Sequence, residues 1–262
     1  MMPAPIMKST FVILASASLL LSGAVQGQPV TTPDARFYEI RTYYAPPGKL
    51  DDLNARFRDH TLKIFEKHGM RSIGYWVPVE NPENKLIYVL SFPNRQACEQ
   101  SWKEFFADPE WLQAQKASEV NGKLVAKMES VFLKATDFSP VIKPASSGQE
   151  RLFELRTYTA APGKLSDLNR RFRDKTIGLF ARHGITSIAY WTPVDKAQGA
   201  DITLVYIVAH PDKPAAEADW KAFREDADWI MAKRLSETDG PLTVTNGVKS
   251  VYMKATDYSP IK

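Results

Sequence analysis

Residues 38–79 and 153–194 align without a gap at an offset of 115, and 26 of the 42 positions are identical. Repeats this close adopt the same fold, so whatever the first half builds, the second half builds again. The shared core runs Glu39-Ile40-Arg41-Thr42-Tyr43 against Glu154-Leu155-Arg156-Thr157-Tyr158, then Pro47-Gly48-Lys49-Leu50 against Pro162-Gly163-Lys164-Leu165. It closes with His68-Gly69 against His183-Gly184 and Tyr75-Trp76 against Tyr190-Trp191. Each half also ends alike, in Lys134-Ala-Thr-Asp-Phe-Ser-Pro140 and Lys254-Ala-Thr-Asp-Tyr-Ser-Pro260. The offset grows from 115 to 118 across residues 80–85, and such small insertions mark loops. Two copies on one chain can do covalently what two subunits do in a homodimer.

The halves divide as 36–140 and 150–262, joined by a Pro-, Ser- and Gly-bearing linker at 141–149. In each, an alternating, aromatic-rich strand (Phe37 to Tyr43) leads through a Pro-Gly turn into a helix that stops at Gly69. Strands follow over Ile73 to Val77 and Leu86 to Phe92. A helix then runs through Trp102 and Phe105, a further helical turn starts at Asp108-Pro109, and a last strand spans Ser130 to Leu133. The order is β-α-β-β-α-β, the ferredoxin-like split motif, and the class is α+β.

The run Tyr38-Glu-Ile-Arg-Thr-Tyr43, then Pro-Gly-Lys, His68-Gly69 and Tyr75-Trp76, resembles the NIPSNAP family over nearly all of both repeats. That resemblance implies membership of the dimeric α+β barrels: two ferredoxin-like units packed sheet to sheet, here as a single-chain barrel. It implies no particular reaction. Barrel relatives include cofactor-independent oxygenases, haem-handling enzymes and decarboxylating enzymes, and fold does not choose among them.

On the first strand, side chains two apart share a face. Tyr38, Ile40 and Thr42 form one face, which suits the helices. Glu39, Arg41 and Tyr43, matched by Glu154, Arg156 and Tyr158, form the other, which in a barrel is expected to turn inward towards the partner sheet. Buried charges need partners, so one reading is an internal Glu–Arg network that fixes the pairing of the halves. The other is a polar cavity in which Arg41 and Arg156 hold an anion while Tyr43 and Tyr158, or His68 and His183, move a proton. His68 and His183 also suit a helix C-terminus, where they can meet the last carbonyls. Tyr75-Trp76 and Tyr190-Trp191 read as core, or as walls for an apolar ligand. Arg56, Arg58, Asp59 and their copies read as a solvated helix face. His60 and His210 are not repeated, since Lys175 and Phe92 stand at the matched positions, so they suit only a site confined to one half.

The net charge is +4, too mild and too evenly spread for nucleic acid. Lys8, the apolar run Phe11 to Leu21 and the small residues after it read as a signal peptide over 1–27, too short to span a bilayer comfortably. Export to a bacterial periplasm or beyond is the expectation, with no stable membrane anchor after cleavage. Cys98 is the single cysteine, so no internal disulfide forms. No Cys-x-x-Cys, His-Glu-x-x-His, Gly-x-Gly-x-x-Gly or Gly-x-Ser-x-Gly occurs, so no metal or nucleotide cofactor is expected. Haem stays open because one His can ligate iron, though nothing points to it. Two functions follow: a small organic molecule bound in a polar, aromatic barrel pocket, with metal-free proton-transfer or oxygenase chemistry; or a non-catalytic binding or assembly protein with an ion-paired interior, which allows a homo-oligomer.

Overall fold

The computed structural model describes Met1, residues 34–142 and residues 150–262. The expected signal segment 1–27, Met1 apart, and all of the linker but Val141 and Ile142 lie outside the described residues. The first repeat comprises β1 (Phe37–Tyr44), α1 (Leu50–Arg56), α2 (Leu62–Lys67), β2 (Arg71–Pro78), β3 (Lys85–Phe92), α3 (Arg95–Ala107), α4 (Pro109–Ser118) and β4 (Lys127–Ala135). The second repeats the series as β5 (Leu152–Ala160), α5 (Leu165–Arg171), α6 (Ile177–Arg182), β6 (Thr186–Pro193), β7 (Thr203–His210), α7 (Lys213–Glu225), α8 (Ala227–Ser236) and β8 (Thr243–Ala255).

Local chemistry sets the helix ends. Asn94 caps α3 by accepting the Ala97 N–H at 2.8 Å, and Asp108 caps α4 through the Glu110 N–H at 2.7 Å, with Pro109 at the first helical position. Gly69 ends α2 at φ +72°, where a side chain would be strained. Between α1 and α2 lies a π-helical turn, Phe57–Thr61, and its copy Phe172–Thr176 sits between α5 and α6. In both, a threonine hydroxyl reaches back five residues: Thr61 donates to the Arg56 carbonyl at 3.1 Å and Thr176 to that of Arg171 at 3.2 Å.

The strands close into one barrel in the order β1-β3-β2-β8-β5-β7-β6-β4, all neighbours antiparallel. The two four-stranded sheets meet edge to edge at β2–β8 and β4–β6, so Pro33–Lys262 forms one unit. The repeats also exchange their tails. Tyr258 packs into the helix-side core of the first repeat beside Phe57 and Tyr75, and Phe138 into that of the second beside Phe172 and Tyr190. Arg58 pairs with Asp257 at 2.6 Å and Arg173 with Asp137 at 2.7 Å, each across the pseudo-twofold.

The strand faces are the reverse of the expected assignment. Tyr38 and Ile40 point into the barrel, with Trp76, Phe153 and Trp191, and these buried side chains form one apolar cluster. Tyr38 meets Trp191 and Trp76 meets Phe153, each pair 5.7 Å apart between ring centres and each joining the two repeats. Glu39, Arg41 and Tyr43 point outward, beneath the helices that cover the sheet. Both sides of a barrel strand are buried here, and the polar side lies where helix side chains can supply donors. Arg56 and Arg171 are likewise buried rather than solvated, bonding Glu119 and Glu237 at 2.8 Å each.

Candidate functional site

Glu39 is fully buried and its two oxygens are answered separately. Oε1 accepts from Arg41 Nε at 2.6 Å and from the Ser130 hydroxyl at 2.5 Å; Oε2 accepts from the Trp102 indole N–H at 2.6 Å. The Arg41 guanidinium lies 3.4 Å from the centre of the Trp102 ring. The second repeat copies the arrangement: Glu154 accepts from Arg156, Ser250 and, at 2.7 Å, Trp220, and Arg156 donates to the Tyr158 hydroxyl at 3.2 Å. Burial pushes the Glu154 carboxyl up, but His210, Arg156, Ser250 and Trp220 together hold it below its ordinary value. These are buried ion pairs that pin α3 and α7 to the sheet through the two tryptophans, and in the second Arg156 Nε is left without a partner.

His68 Nε2 donates to Asp108 Oδ2 at 2.7 Å, and His183 Nε2 to Asp226 Oδ2 at the same distance. Each ties the end of one helix to the N-terminal cap of another. Tyr75 and Tyr190 face the helices, while Trp76 and Trp191 face the lumen. Trp76 is folded so closely over Gly74 that a Cβ there would lie 2.2 Å from the indole. None of the twelve side chains singled out on the strands and helix ends lines the cleft described next. Among the described residues, no group of three or more His, Cys, Asp and Glu side chains could hold a metal ion, and no helix is long and apolar enough to cross a membrane.

A cleft of about 520 Å³ opens beside β8 in the second repeat. Val79, Leu152, Pro211 and Val251 give it apolar walls, and Tyr252 and Ser250 lie along its strand edge. Arg151, Lys213 and Lys254 stand against Glu80, Glu150 and Asp212, so its charges balance.

The matched place in the first repeat is filled. The segment between β6 and β7 is three residues longer than that between β2 and β3, and it carries a 3₁₀ turn, Lys196–Gln198. Gln198 plugs the strand edge: its carboxamide accepts the Phe132 N–H at 3.0 Å and donates to the Ser130 carbonyl at 2.8 Å. Asp195 pairs with Arg95 at 2.7 Å, which pins the loop. The shorter loop of Glu80–Asn84 has no such plug, and Lys213, the counterpart of Arg95, has no ion-pair partner among the described residues.

One titratable cluster is confined to the second repeat. His210 replaces Phe92 and Asp219 replaces Ser101. His210 is buried; its Nδ1 donates to Asp219 Oδ2 at 3.0 Å, and its Nε2 lies 3.6 Å from Glu154 Oε2 with no hydrogen-bond partner. Glu154 in turn holds Ser250, which lines the cleft. The unrepeated His210 signalled this cluster in the sequence; Asp219 did not stand out, because its partner lies nine residues away across a helix turn.

The NIPSNAP family model matches residues 38–140 and again 153–260. A NipSnap homologue from Dictyostelium discoideum is 27% identical over 154 residues, covering 56% of this chain; the chain spans 60% of that relative's length. Among solved structures, an anthrone oxidase-like protein superposes with a TM-score of 0.57 at 10% identity, covering 87% of this chain and 95% of its own. A candidate monooxygenase from Fusobacterium nucleatum does so with a TM-score of 0.56 at 8% identity, covering 84% and 92%. At those identities the likeness is one of fold alone, and it is the fold of the single-chain α+β barrel. With both repeats matched from first strand to last, the chain belongs to the NIPSNAP family.

Proposed function

We propose that this protein is exported and binds a small organic molecule in the cleft beside β8 of its second repeat, rather than in the barrel lumen. The observation that carries the reading is the asymmetry between halves. One edge is sealed by Gln198, while its twin leaves about 520 Å³ open, within the size range of small-molecule sites. The apolar walls favour an organic body, and the balanced charges favour a neutral or zwitterionic polar group. Export rests on the Lys8 and Phe11 to Leu21 pattern. Mass spectrometry of small molecules retained by natively purified protein tests the binding. Val251→Trp, which narrows the cleft from an exposed strand position, should release whatever is retained without loss of fold. Retention that survives the substitution, or retention of nothing, sinks the reading.

A second reading has one observation in its favour. Asp219, His210, Glu154 and Ser250 follow one another from the α7 side to the cleft, and closing the 3.6 Å step between His210 Nε2 and Glu154 Oε2 would complete a path for a proton to or from a bound molecule without a metal. The double variant His210→Phe with Asp219→Ser restores the residues of the first repeat. Under this reading it keeps the ligand and abolishes its conversion.

A further inference from the structure

The first repeat covers with its own Gln198 the strand edge that the second repeat leaves open. In the first repeat, Phe132 points both its backbone groups away from β1: its carbonyl accepts the Val194 N–H at 3.0 Å, and its N–H is taken by Gln198. In the second, the Tyr252 carbonyl accepts the Val79 N–H at 2.8 Å. The N–H and C=O of one strand residue point to the same side, and residues two apart repeat that direction. Tyr252 N–H and Ser250 C=O therefore face the cleft, as the matching groups of Phe132 and Ser130 face Gln198. Among the described residues neither has the partner that Gln198 supplies to its twin. The two residues line the cleft, so a donor and an acceptor are presented side by side at its edge.

We propose, resting on the binding reading above, that the cleft selects a carboxamide: a small molecule whose amide C=O accepts from Tyr252 N–H while its amide N–H donates to Ser250 C=O. A carboxylate offers the acceptor without the donor, leaving the Ser250 carbonyl facing another oxygen. A tertiary amide does the same. The strand edge is open to water when the cleft is empty; a bound molecule that covers it shuts that water out, and a polar group then left unmatched discriminates between similar ligands. The body of the molecule lies against Val79, Leu152 and Val251. The balance of three cations and three carboxylates around the cleft fits a neutral amide better than an acid.

The test is a matched series read by titration of the full mature chain: benzamide, N,N-dimethylbenzamide and benzoate. Binding is followed at the backbone amide signals of Tyr252 and its neighbours by NMR. Benzamide should bind about tenfold or more tightly than either analogue, with the Tyr252 amide moving furthest. Tyr252→Pro removes the donor at an edge where proline is tolerated, and should erase the preference; Tyr252→Phe, which keeps the N–H, should not. Should the proline variant misfold, the series on the unaltered chain still decides. Equal affinity for all three, with the same signals moving, overturns the amide selectivity and leaves the cleft as a binding site. No movement with any of the three, together with no small molecule retained on native purification, shows instead that the binding reading has failed.

Discussion

The Ser259 hydroxyl accepts the Tyr75 backbone N–H at 3.0 Å, although the two residues are 184 positions apart. Ser139 does the same for Tyr190 at 2.9 Å, 51 positions apart. The Thr-Asp-aromatic-Ser endings of the two repeats are thus exchanged clasps, and each finishes the core of the other half.

Tyr258 is the test of that clasp. It stands 5.3 Å from the Tyr75 ring and donates to Asn54 Oδ1 at 2.7 Å. Tyr258→Ala should cost about 2–4 kcal/mol in urea denaturation, since a large aromatic and a hydrogen bond are lost together. Phe138→Ala should cost a similar amount from the opposite end of the barrel, and the two losses should add within about 0.5 kcal/mol if the clasps act independently. A tail that could be truncated without cost would mean it only rests on the surface.

Arg41→Ala strands the Glu39 carboxylate, which is fully buried with only Ser130, Trp102 and the weak Cys98 thiol left to answer it. The expected loss is about 3–5 kcal/mol. Replacing both residues with apolar ones of similar volume should recover much of it, because an absent pair leaves no orphaned charge. Equal melting of the single variant and the original chain would show that the pair is solvated.

Gly74→Ala places a methyl against the Trp76 indole, 2.2 Å from its nearest atom. Overpacking of this kind costs about 1–3 kcal/mol. The matched position in the second repeat is already Ala189, buried against the lumen core, so the penalty is specific to how Trp76 lies. Thermal melts of Gly74→Ala and of Ala189→Gly, which opens space instead, would separate the two environments.

The Asp226 carboxyl is held at about 2, below its ordinary 3.8, by His183 first, with the Asp228 and Trp229 N–H groups and Arg182 adding to it against the opposing effect of burial. A lowered carboxyl favours the folded state above its ordinary value, and that contribution drains away as pH falls from about 4 to about 2. Asp226→Asn should therefore start less stable at neutral pH and lose less on acidification across that window. Parallel stability curves for variant and original chain would show that the His183–Asp226 contact does not act on folding.

The Cys98 thiol is buried beside Glu39, and burial pushes it up to about 12. A thiol reagent at neutral pH should leave the native protein unmodified and label it only in denaturant. Fast labelling of the native chain would show that α3 opens from the sheet.

The helices, strands and their order were legible because each rests on local chemistry: alternation at Phe37 to Tyr43, the Asp108-Pro109 cap, the Gly69 stop. The barrel was legible only through the resemblance to the NIPSNAP family, with the duplication supplying both of its halves on one chain. The direction of the strand faces was not. Alternation says that Glu39 and Arg41 share a side, but both sides of a barrel strand are buried, and polarity alone misassigned which faces inward. The signal that decides it is three-dimensional: Trp102 and Ser130 bring their donors to Glu39 from a helix and a neighbouring strand. The π-helical turns were also hidden, since the Thr61 hydroxyl bond to Arg56 is read only once the helix exists.

The cleft shows the same division. A three-residue difference in loop length is plain in the alignment of the halves, and so is the exchange of Phe92 for His210. That the longer loop turns back and seals one strand edge with Gln198, while the other edge stays open beside Tyr252, follows from how β4 and β8 lie against the partner repeat. The sequence by itself determined the two modules and the order of their elements, because periodicity and duplication are properties of the chain. Only the tertiary structure decided which surfaces are filled and which are free, because filling depends on atoms that distant parts of the chain bring together.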